Sequence, residues 1–413
     1  MSKLVVEELT GPEALSLLRS EWQALFEESA ASPFLSWEWI TAWRDWFGTE
    51  KQPRLFCARE GALLVGLLPL GEEERRLKGI PVHVRRLAFL GERLGGSDYL
   101  DVLALPGYEQ KCADALFNHI ARHTEFDLLE LEGLASDSQS LPWLTLRFGE
   151  TANFKCRLTP RYVCPQVRLD GSWEEVLRRT QRPDYFGRCI NRLRKLRGFD
   201  YRVVTSADEA VDAVERFLTL HELSWAHRGG SVAVLLPEIR SFLRDVAPRL
   251  ARPGWLRFEE IWIEGECRAS LFGIDVGERH CLYLSGYDPA WSKYSLGFAL
   301  IGLSIAGAVE RGKRYCDLLR GSEAYKFEWA NETRATIAAQ LASGSLAARL
   351  AITSDHLEEA ARAAAQALLP ERALALWRRW RHVRARKPAT ISGANDQPQR
   401  RENDERNAVG TVA

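Results

Sequence analysis

Several things that would assign a function at once are missing from this sequence. Its eight cysteines stand at 57, 112, 156, 164, 189, 267, 281 and 316, without a Cys-x-x-Cys pair. That excludes an obvious zinc ribbon or disulfide framework and suits reduced, mostly buried thiols in a cytoplasmic protein. No His/Cys cluster has metal-ligand spacing, and no Gly-x-Gly-x-x-Gly or Walker loop is present. Charge of one sign is lacking too: 56 basic residues face 56 acidic ones, so no overall field draws the chain to DNA. The longest apolar run, residues 298–309, falls well short of the ~20 residues that span a bilayer. The N-terminus turns acidic too early for a signal peptide. Neither membrane insertion nor secretion is expected.

What is present is enough chain for two cores, at 413 residues. Residues 12–29 read as a helix. A second helix follows Ser36, a candidate N-cap, with Trp39, Trp43, Trp46 and Phe47 on one face and Gly48 as its stop. That spacing predicts a packing face rather than a ligand platform. Residues 54–59 and 62–70 flank Glu60-Gly61 as a hairpin. Strands follow at 87–90 and 99–105, a helix at 108–123 and an inner strand at 126–131.

The order then begins again. Residues 163–169 read as a strand and 173–196 as a basic helix interrupted by Pro183. Helices fit 207–225 and 237–250. A hairpin spans 256–263 and 267–275, then come a strand at 281–286, a helix at 296–311 and a strand at 315–319. Hairpin, strand, helix, strand thus occurs twice, which predicts an α/β chain of two similar lobes, residues 1–155 and 156–350. Residues 351–387 are expected to form a basic helical extension and 388–413 a disordered tail.

Two stretches carry candidate chemistry. Gly286-Tyr287-Asp288-Pro289 closes a strand, and a helix starts near Ser295–Gly297. The free N–H groups and positive end of such a helix suit a pyrophosphate. Gly297 lets a ligand approach the backbone, and Ser295 is a candidate cap. In the second stretch, Asp317, Glu323, Tyr325, Lys326 and Trp329 crowd the exit of a strand. Lys326 is placed to stabilise an anionic transition state, with Glu323 or Asp317 as its partner. An ordinary capped helix and a buried ion pair explain the same residues without a ligand.

Taken together, Gly286-Tyr287-Asp288-Pro289-x-Trp291, Ser295-x-Gly297 and Asp317-x-Leu319-Arg320-Gly321-x-Glu323-x-Tyr325-Lys326-x-x-Trp329 resemble the CelD-type acetyltransferases linked with bacterial cellulose and exopolysaccharide synthesis. That family is part of the GNAT superfamily and is similar to the Fem peptidyltransferases. Ser32-Pro33-Phe34-Leu35-Ser36-Trp37, Ser97-Asp98-Tyr99-Leu100-Asp101 and Leu220-His221 through Trp225 and Arg228-Gly229 extend the resemblance over roughly residues 30–330.

The resemblance implies two tandem GNAT-like lobes and an acetyl-CoA or other acyl-CoA donor. It implies a donor site at Tyr287, Lys293, Tyr294, Ser295, Gly297 and Phe298, and a catalytic role for Lys326, with Glu323 beside it. Tyr294 departs from the usual Arg or Gln at the start of the GNAT phosphate loop, whereas Gly297-Phe298-Ala299 keeps the rest. Asp288, nearest the expected cleft, is the candidate base, and an N–H around Tyr287 the oxyanion donor.

The expected reaction is acyl transfer to an amine on a small molecule or envelope precursor. Alternatives are Fem-like transfer from aminoacyl-tRNA and a non-catalytic scaffold in polysaccharide synthesis. Arg178, Arg179, Arg182, Arg188, Arg192, Arg194, Lys195 and Arg197 form either a solvated face or a patch for CoA phosphates, a nucleotide-activated sugar or tRNA. Leu374–Lys387 has the composition of a segment that docks on an anionic bilayer or partner groove. His221, Ser224 and His227 read as helix packing, since no strained elbow or third partner accompanies them.

Overall fold

The structure, a computed structural model, describes residues 4–77, 80–151, 154–226, 236–355 and 357. The first stretch comprises β1 (Val5–Thr10), α1 (Ala14–Leu17), α2 (Arg19–Glu28), α3 (Trp37–Phe47), β2 (Gln52–Glu60), β3 (Leu63–Arg76), β4 (His83–Phe89), β5 (Leu103–Ala104), α4 (Glu109–His123), β6 (Leu128–Ala135) and α5 (Ser140–Gly149). The second comprises β7 (Lys155–Arg168), α6 (Trp173–Arg178), α7 (Pro183–Leu193), β8 (Asp200–Val204), α8 (Ala207–Ala226) and α9 (Pro237–Ala251). It continues with β9 (Leu256–Ile263), β10 (Glu266–Val276), β11 (Arg279–Tyr287), α10 (Leu296–Glu310), β12 (Tyr315–Asp317), α11 (Ala324–Phe327) and β13 (Glu332–Ala342).

Hairpin, strand, helix, strand does occur twice, as β2–β3, β4, α4, β6 and as β9–β10, β11, α10, β12. The strands on either side of the helix are parallel in both copies, Arg86 beside Leu128 and Arg279 beside Tyr315, as a helical crossover allows. All strands belong to one sheet in the order β1-β2-β3-β4-β6-β13-β7-β12-β11-β10-β9-β8, with β5 on β3. The centre is shared: β13, from the end of the second lobe, lies between β6 of the first and β7.

Local signals explain many of these elements. Ser36 caps α3 by accepting from the Trp39 N–H, and Gly48 ends it. Trp39 and Trp43 are buried, whereas Trp46 lies at the surface and donates to Asp245. The stripe does more than fill one lobe. Trp39 and Phe47 pack against Phe242 of α9, and Trp39 also meets Tyr283 of β11. One apolar core therefore runs from α3 to α8, α9 and β11, while α7 and α10 cover the opposite face of the second sheet half.

Some expectations are corrected. The helix at 12–29 breaks at Leu18 into α1 and α2. Of residues 99–105 only Leu103 and Ala104 are strand, and Tyr99 takes φ 58°, outside the extended region. Residues 318 and 319 leave the expected strand, with Leu319 at φ 55°. The break at Pro183 is found, between α6 and α7. Residues 346–355 are helical. The rest of the expected extension, Leu374–Lys387 included, lies outside the described residues, as do the 388–413 tail, His227, Arg228 and Gly229. Among the described residues no helix is long and apolar enough to cross a membrane.

Candidate active site

β11 and β12 pair for only three residues, ending at Cys281 beside Asp317. β11 continues to Tyr287, paired on its other side with β10. Its edge from Leu282 to Tyr287 therefore opens onto a wedge without a strand partner among the described residues. The register to β10 steps from Gly273–Leu282 to Phe272–Leu284, so Tyr283 is the extra residue of a bulge that bends the strand here. The Asp288 N–H donates to the Arg268 carbonyl at 2.8 Å. Antiparallel alternation then turns the main-chain groups of Gly286 toward β10 and those of Ser285 and Tyr287 toward the open edge.

α10 starts at the mouth of this wedge. Ser295 does not cap it, contrary to the sequence expectation. It adopts the left-handed conformation, φ 55° and ψ 44°, and its hydroxyl pairs with Tyr185 at 2.6 Å instead. The first-turn N–H groups of Leu296, Gly297 and Phe298 are left without a side-chain cap or an intrahelical acceptor. A β-carbon added to Gly297 would meet only the Tyr287 ring, at an ordinary 3.4 Å. No neighbour demands glycine there, and the approach from outside is open. Phe298 stacks on Trp329 at 4.5 Å and lies 5.2 Å from Tyr185.

The basic helix seen in the sequence lies beside this turn. Phe186, Cys189, Ile190 and Leu193 bury one face of α7. Arg192 donates to the Lys293 carbonyl at 2.9 Å, and Arg182 and Arg188 lie over the Tyr185 ring. Lys293 covers Tyr294 at 5.0 Å. Cationic side chains, Arg182 among them with Glu328 as its ion-pair partner at 3.2 Å, thus lie on the segments that meet at a helix start whose dipole already favours an anion.

Asp288 is placed as a cap and ion-pair partner. One oxygen accepts from the Ala290 N–H, and the other from Arg268, each at 3.0 Å. Lys326 is buried. Its ammonium reaches the carbonyls of Leu319 (3.3 Å) and Arg320 (2.6 Å) and the Glu323 carboxylate (3.2 Å), so all three N–H groups hold the turn after β12. Glu323 is its partner, and Asp317 is not.

Asp317 belongs to a second group that sequence reasoning missed. It is fully buried and accepts from the Leu319 N–H (2.8 Å), Gln166 (2.5 Å) and the Tyr99 hydroxyl (3.4 Å). Beside it Asp98 accepts from the Arg320 N–H and guanidinium at 3.0 and 2.7 Å, and Arg320 also reaches the Ser97 carbonyl. The first lobe's loop is thereby tied to the exit of β12. Tryptophans hold that loop from behind: Trp43 donates to the Leu94 carbonyl and Trp39 to the Ser97 hydroxyl.

Burial pushes the Asp317 carboxyl up to about 6, against the Leu319 N–H and the Arg279 guanidinium that draw it down. A folded value above the unfolded one means that this carboxyl contributes stability below about pH 4, lost as pH rises through about 6. Asp317→Asn, with the Gln166 amide turned to match, is expected to raise stability above pH 7 by on the order of 2 kcal/mol. Melting temperatures from pH 5 to 8 check this: the wild type should lose stability over that range and the variant should not.

Asp275, His280 and Ser304 form a further chain, with the His280 Nδ1 2.5 Å from Asp275 and Nε2 2.7 Å from Ser304. It has the order of a hydrolase triad, yet both nitrogens of His280 and both oxygens of Asp275 are engaged within the chain, Arg311 taking the second oxygen of Asp275. It fastens α10 to β10 and β11.

Residues 181–327 match a family described as an acetyltransferase (GNAT) domain. The chain superposes on the crystal structure of FemX with a TM-score of 0.55 at 10% identity, over 77% of this chain and 95% of that one. L-PGS from Bacillus licheniformis aligns over 82% of this chain and 96% of that one at 12% identity, with a TM-score of 0.49. A tandem GNAT protein from the clavulanic acid biosynthesis pathway does so over 83% and 99% at 12% identity, with a TM-score of 0.42. The FemX likeness bears on fold alone, and the looser two add nothing to it. The chain has no match among curated proteins. With the repeated α/β lobes and the parted strands in view, the second half of this chain holds a GNAT acetyltransferase domain, and the protein is an acyltransferase.

Proposed function

We propose that the protein transfers an acyl group from acetyl-CoA or another acyl-CoA to an amine on a small molecule or cell-envelope precursor. The observation that carries this reading is the uncapped start of α10 at the mouth of the wedge between β11 and β12. The N–H groups of Leu296, Gly297 and Phe298 would hold the pyrophosphate, with Lys293, Arg182, Arg188 and Arg192 around it and Tyr294 at the rim. The open edge offers the Ser285 N–H and the Tyr287 carbonyl to an extended amide-bearing arm, the Ser285 carbonyl being taken by His221. The Tyr287 N–H faces the same edge and suits a developing oxyanion. Lys326 and Glu323 fix the turn that forms the opposite wall. On this reading residues 156–350 are the catalytic lobe and 1–155 the supporting one. The motif resemblance supports an exopolysaccharide or cellulose setting in the cytoplasm.

Acetyl-CoA at about a hundred times its dissociation constant is expected to stabilise the wild type by about 2.7 kcal/mol, read as a rise in melting temperature. Gly297→Trp fills the approach to the helix start and should remove that rise while leaving the ligand-free melt nearly unchanged. An equal rise in both proteins places acetyl-CoA elsewhere. Transfer from aminoacyl-tRNA is the second reading, supported by the arginines that α7 sets beside the turn. Stabilisation by charged tRNA and not by acetyl-CoA would select it.

A further inference from the structure

We propose that His221 is the general base that deprotonates the acceptor amine, with its Nε2 as the proton-accepting atom. This rests on the acyl-CoA reading of the wedge.

His221 lies on α8, buried, with Nδ1 2.7 Å from the Ser285 carbonyl. A carbonyl only accepts, so Nδ1 carries the hydrogen, and Nε2 of the neutral ring bears a lone pair. That Nε2 is buried and has no hydrogen-bond partner, an exception in native proteins that calls for an explanation. The Ser285 carbonyl faces the open edge of β11, so Nδ1 of the ring is held at the edge that lines the wedge. Two residues on, about 7 Å along the strand, Tyr287 meets Gly297 at the start of α10.

The ring cannot swing away easily. A β-carbon on Gly286 would stand 2.3 Å from the His221 backbone nitrogen, so α8 lies directly on the strand. Phe217 and Trp225 flank the imidazole at 5.4 and 6.0 Å. Burial, opposed only by the Ser285 carbonyl, lowers its proton affinity and keeps it neutral. No charged side chain enters that balance. Ser224 takes no part, because its hydroxyl donates to the His221 main-chain carbonyl. Asp288 has both oxygens engaged by Ala290 and Arg268. His221 offers a free lone pair in its place.

In the step so assigned, Nε2 takes one proton from the acceptor ammonium. The freed nitrogen pair attacks the thioester carbon, and a C–N bond forms. The C–S bond breaks, and the thiolate leaves with its electron pair. A second proton passes from nitrogen to the thiolate, and the proton on His221 goes to solvent. Ammonium and acyl-CoA become amide, free CoA thiol and one proton.

Nitrogen-15 NMR of histidine-labelled wild type at pH 7, with and without acetyl-CoA, reads the key atom directly. The expected His221 signature is a protonated Nδ1 and an unprotonated Nε2 whose resonance shifts when acetyl-CoA binds. Absence of any thermal stabilisation by acetyl-CoA overturns the donor reading. Stabilisation with a protonated or unshifted Nε2 overturns the assignment of His221 alone. Thiol release from acetyl-CoA with a pool of ethanolamine, glucosamine and lysine supplies the kinetic arm. His221→Gln should lower kcat about 10²–10⁴-fold, keep KM for acetyl-CoA, and lose the rise of rate with pH. Retention of that rise in His221→Gln and its loss in Asp288→Asn would move the role to Asp288. Far-ultraviolet circular dichroism of both variants confirms their fold.

Discussion

Arg86→Met is expected to destabilise the protein by about 3–5 kcal/mol at neutral pH, the largest single effect predicted. Arg86 is fully buried on β4. Its guanidinium binds both oxygens of Glu92 at 2.6 and 2.7 Å, Glu73 at 2.6 Å, and Glu130 of β6. Lys51 adds a bond to Glu92, and Gln340 of β13 one to Glu130. Methionine matches the stem but abandons two nearly dry carboxylates. Burial alone would raise Glu92, yet Arg86, with Lys51 and Arg93, holds it down at about 2.

The sign of the pH dependence follows. With its folded value depressed, Glu92 contributes stability that is present above about pH 4.5 and lost as pH falls through about 2. In the variant that contribution shrinks, and burial pushes the carboxyl the other way. The gap between the two proteins should therefore be widest near pH 7 and narrow toward pH 3. Urea melts at pH 3, 5 and 7 check it; a gap independent of pH would mean that lost packing, not the stranded charge, dominates.

Gly286→Val should cost about 3 kcal/mol, at the upper end for overpacking. It should also lower acyl transfer by about 100-fold, the scale set by a 1 Å misplacement. The added β-carbon would lie 2.3 Å from the His221 nitrogen and 2.7 Å from the Leu220 carbonyl carbon. Both are main-chain atoms of a helix and cannot step aside as a side-chain tip would. α8 must lift from β11, which breaks the contact from the His221 ring to Ser285. Thermal melts and thiol release measured together test this, and a variant that melts normally yet has lost activity would locate the damage in ring placement alone.

The parts of the fold that were legible in the sequence are those specified within a few residues. Ser36, the Trp39–Trp43 spacing and Gly48 define α3 at both ends. Gly61 and Gly265, at φ 61° and 82°, turn the two hairpins. β13 was not legible. Its run Glu332-Thr333-Arg334-Ala335-Thr336-Ile337-Ala338-Ala339 has little strand propensity, and the slot between β6 and β7 decides its state. β8 and α5 were missed as well, being short and weakly patterned.

The candidate site divides along the same line. Gly297, Tyr287 and the strand-to-helix turn can be read from neighbouring residues. The ties from Asp98 to Arg320 and from Tyr99 to Asp317 join positions 222 and 218 residues apart, and no local pattern announces them. Ser295 misled as a cap because its backbone conformation is set by the turn. Lys326 invited an oxyanion role that its three occupied N–H groups leave little room for. His221 passed for ordinary packing because the orphaned nitrogen shows only once α8 lies on Gly286.

The shared centre of the sheet bears on how the chain is born. β6 pairs with β4 inside its own lobe, but the neighbour on its other edge, β13, is synthesised only roughly 200 residues later. At about 5–20 residues per second that is a wait of about 10–40 s. Through it the edge of β6 stands unpaired, a template for any passing strand. The ribosome delivers the first lobe early, but the last strand closes it. A nascent chain stalled before residue 332 would carry an open seam, and a chaperone that covers it serves this protein longer than one whose halves close independently.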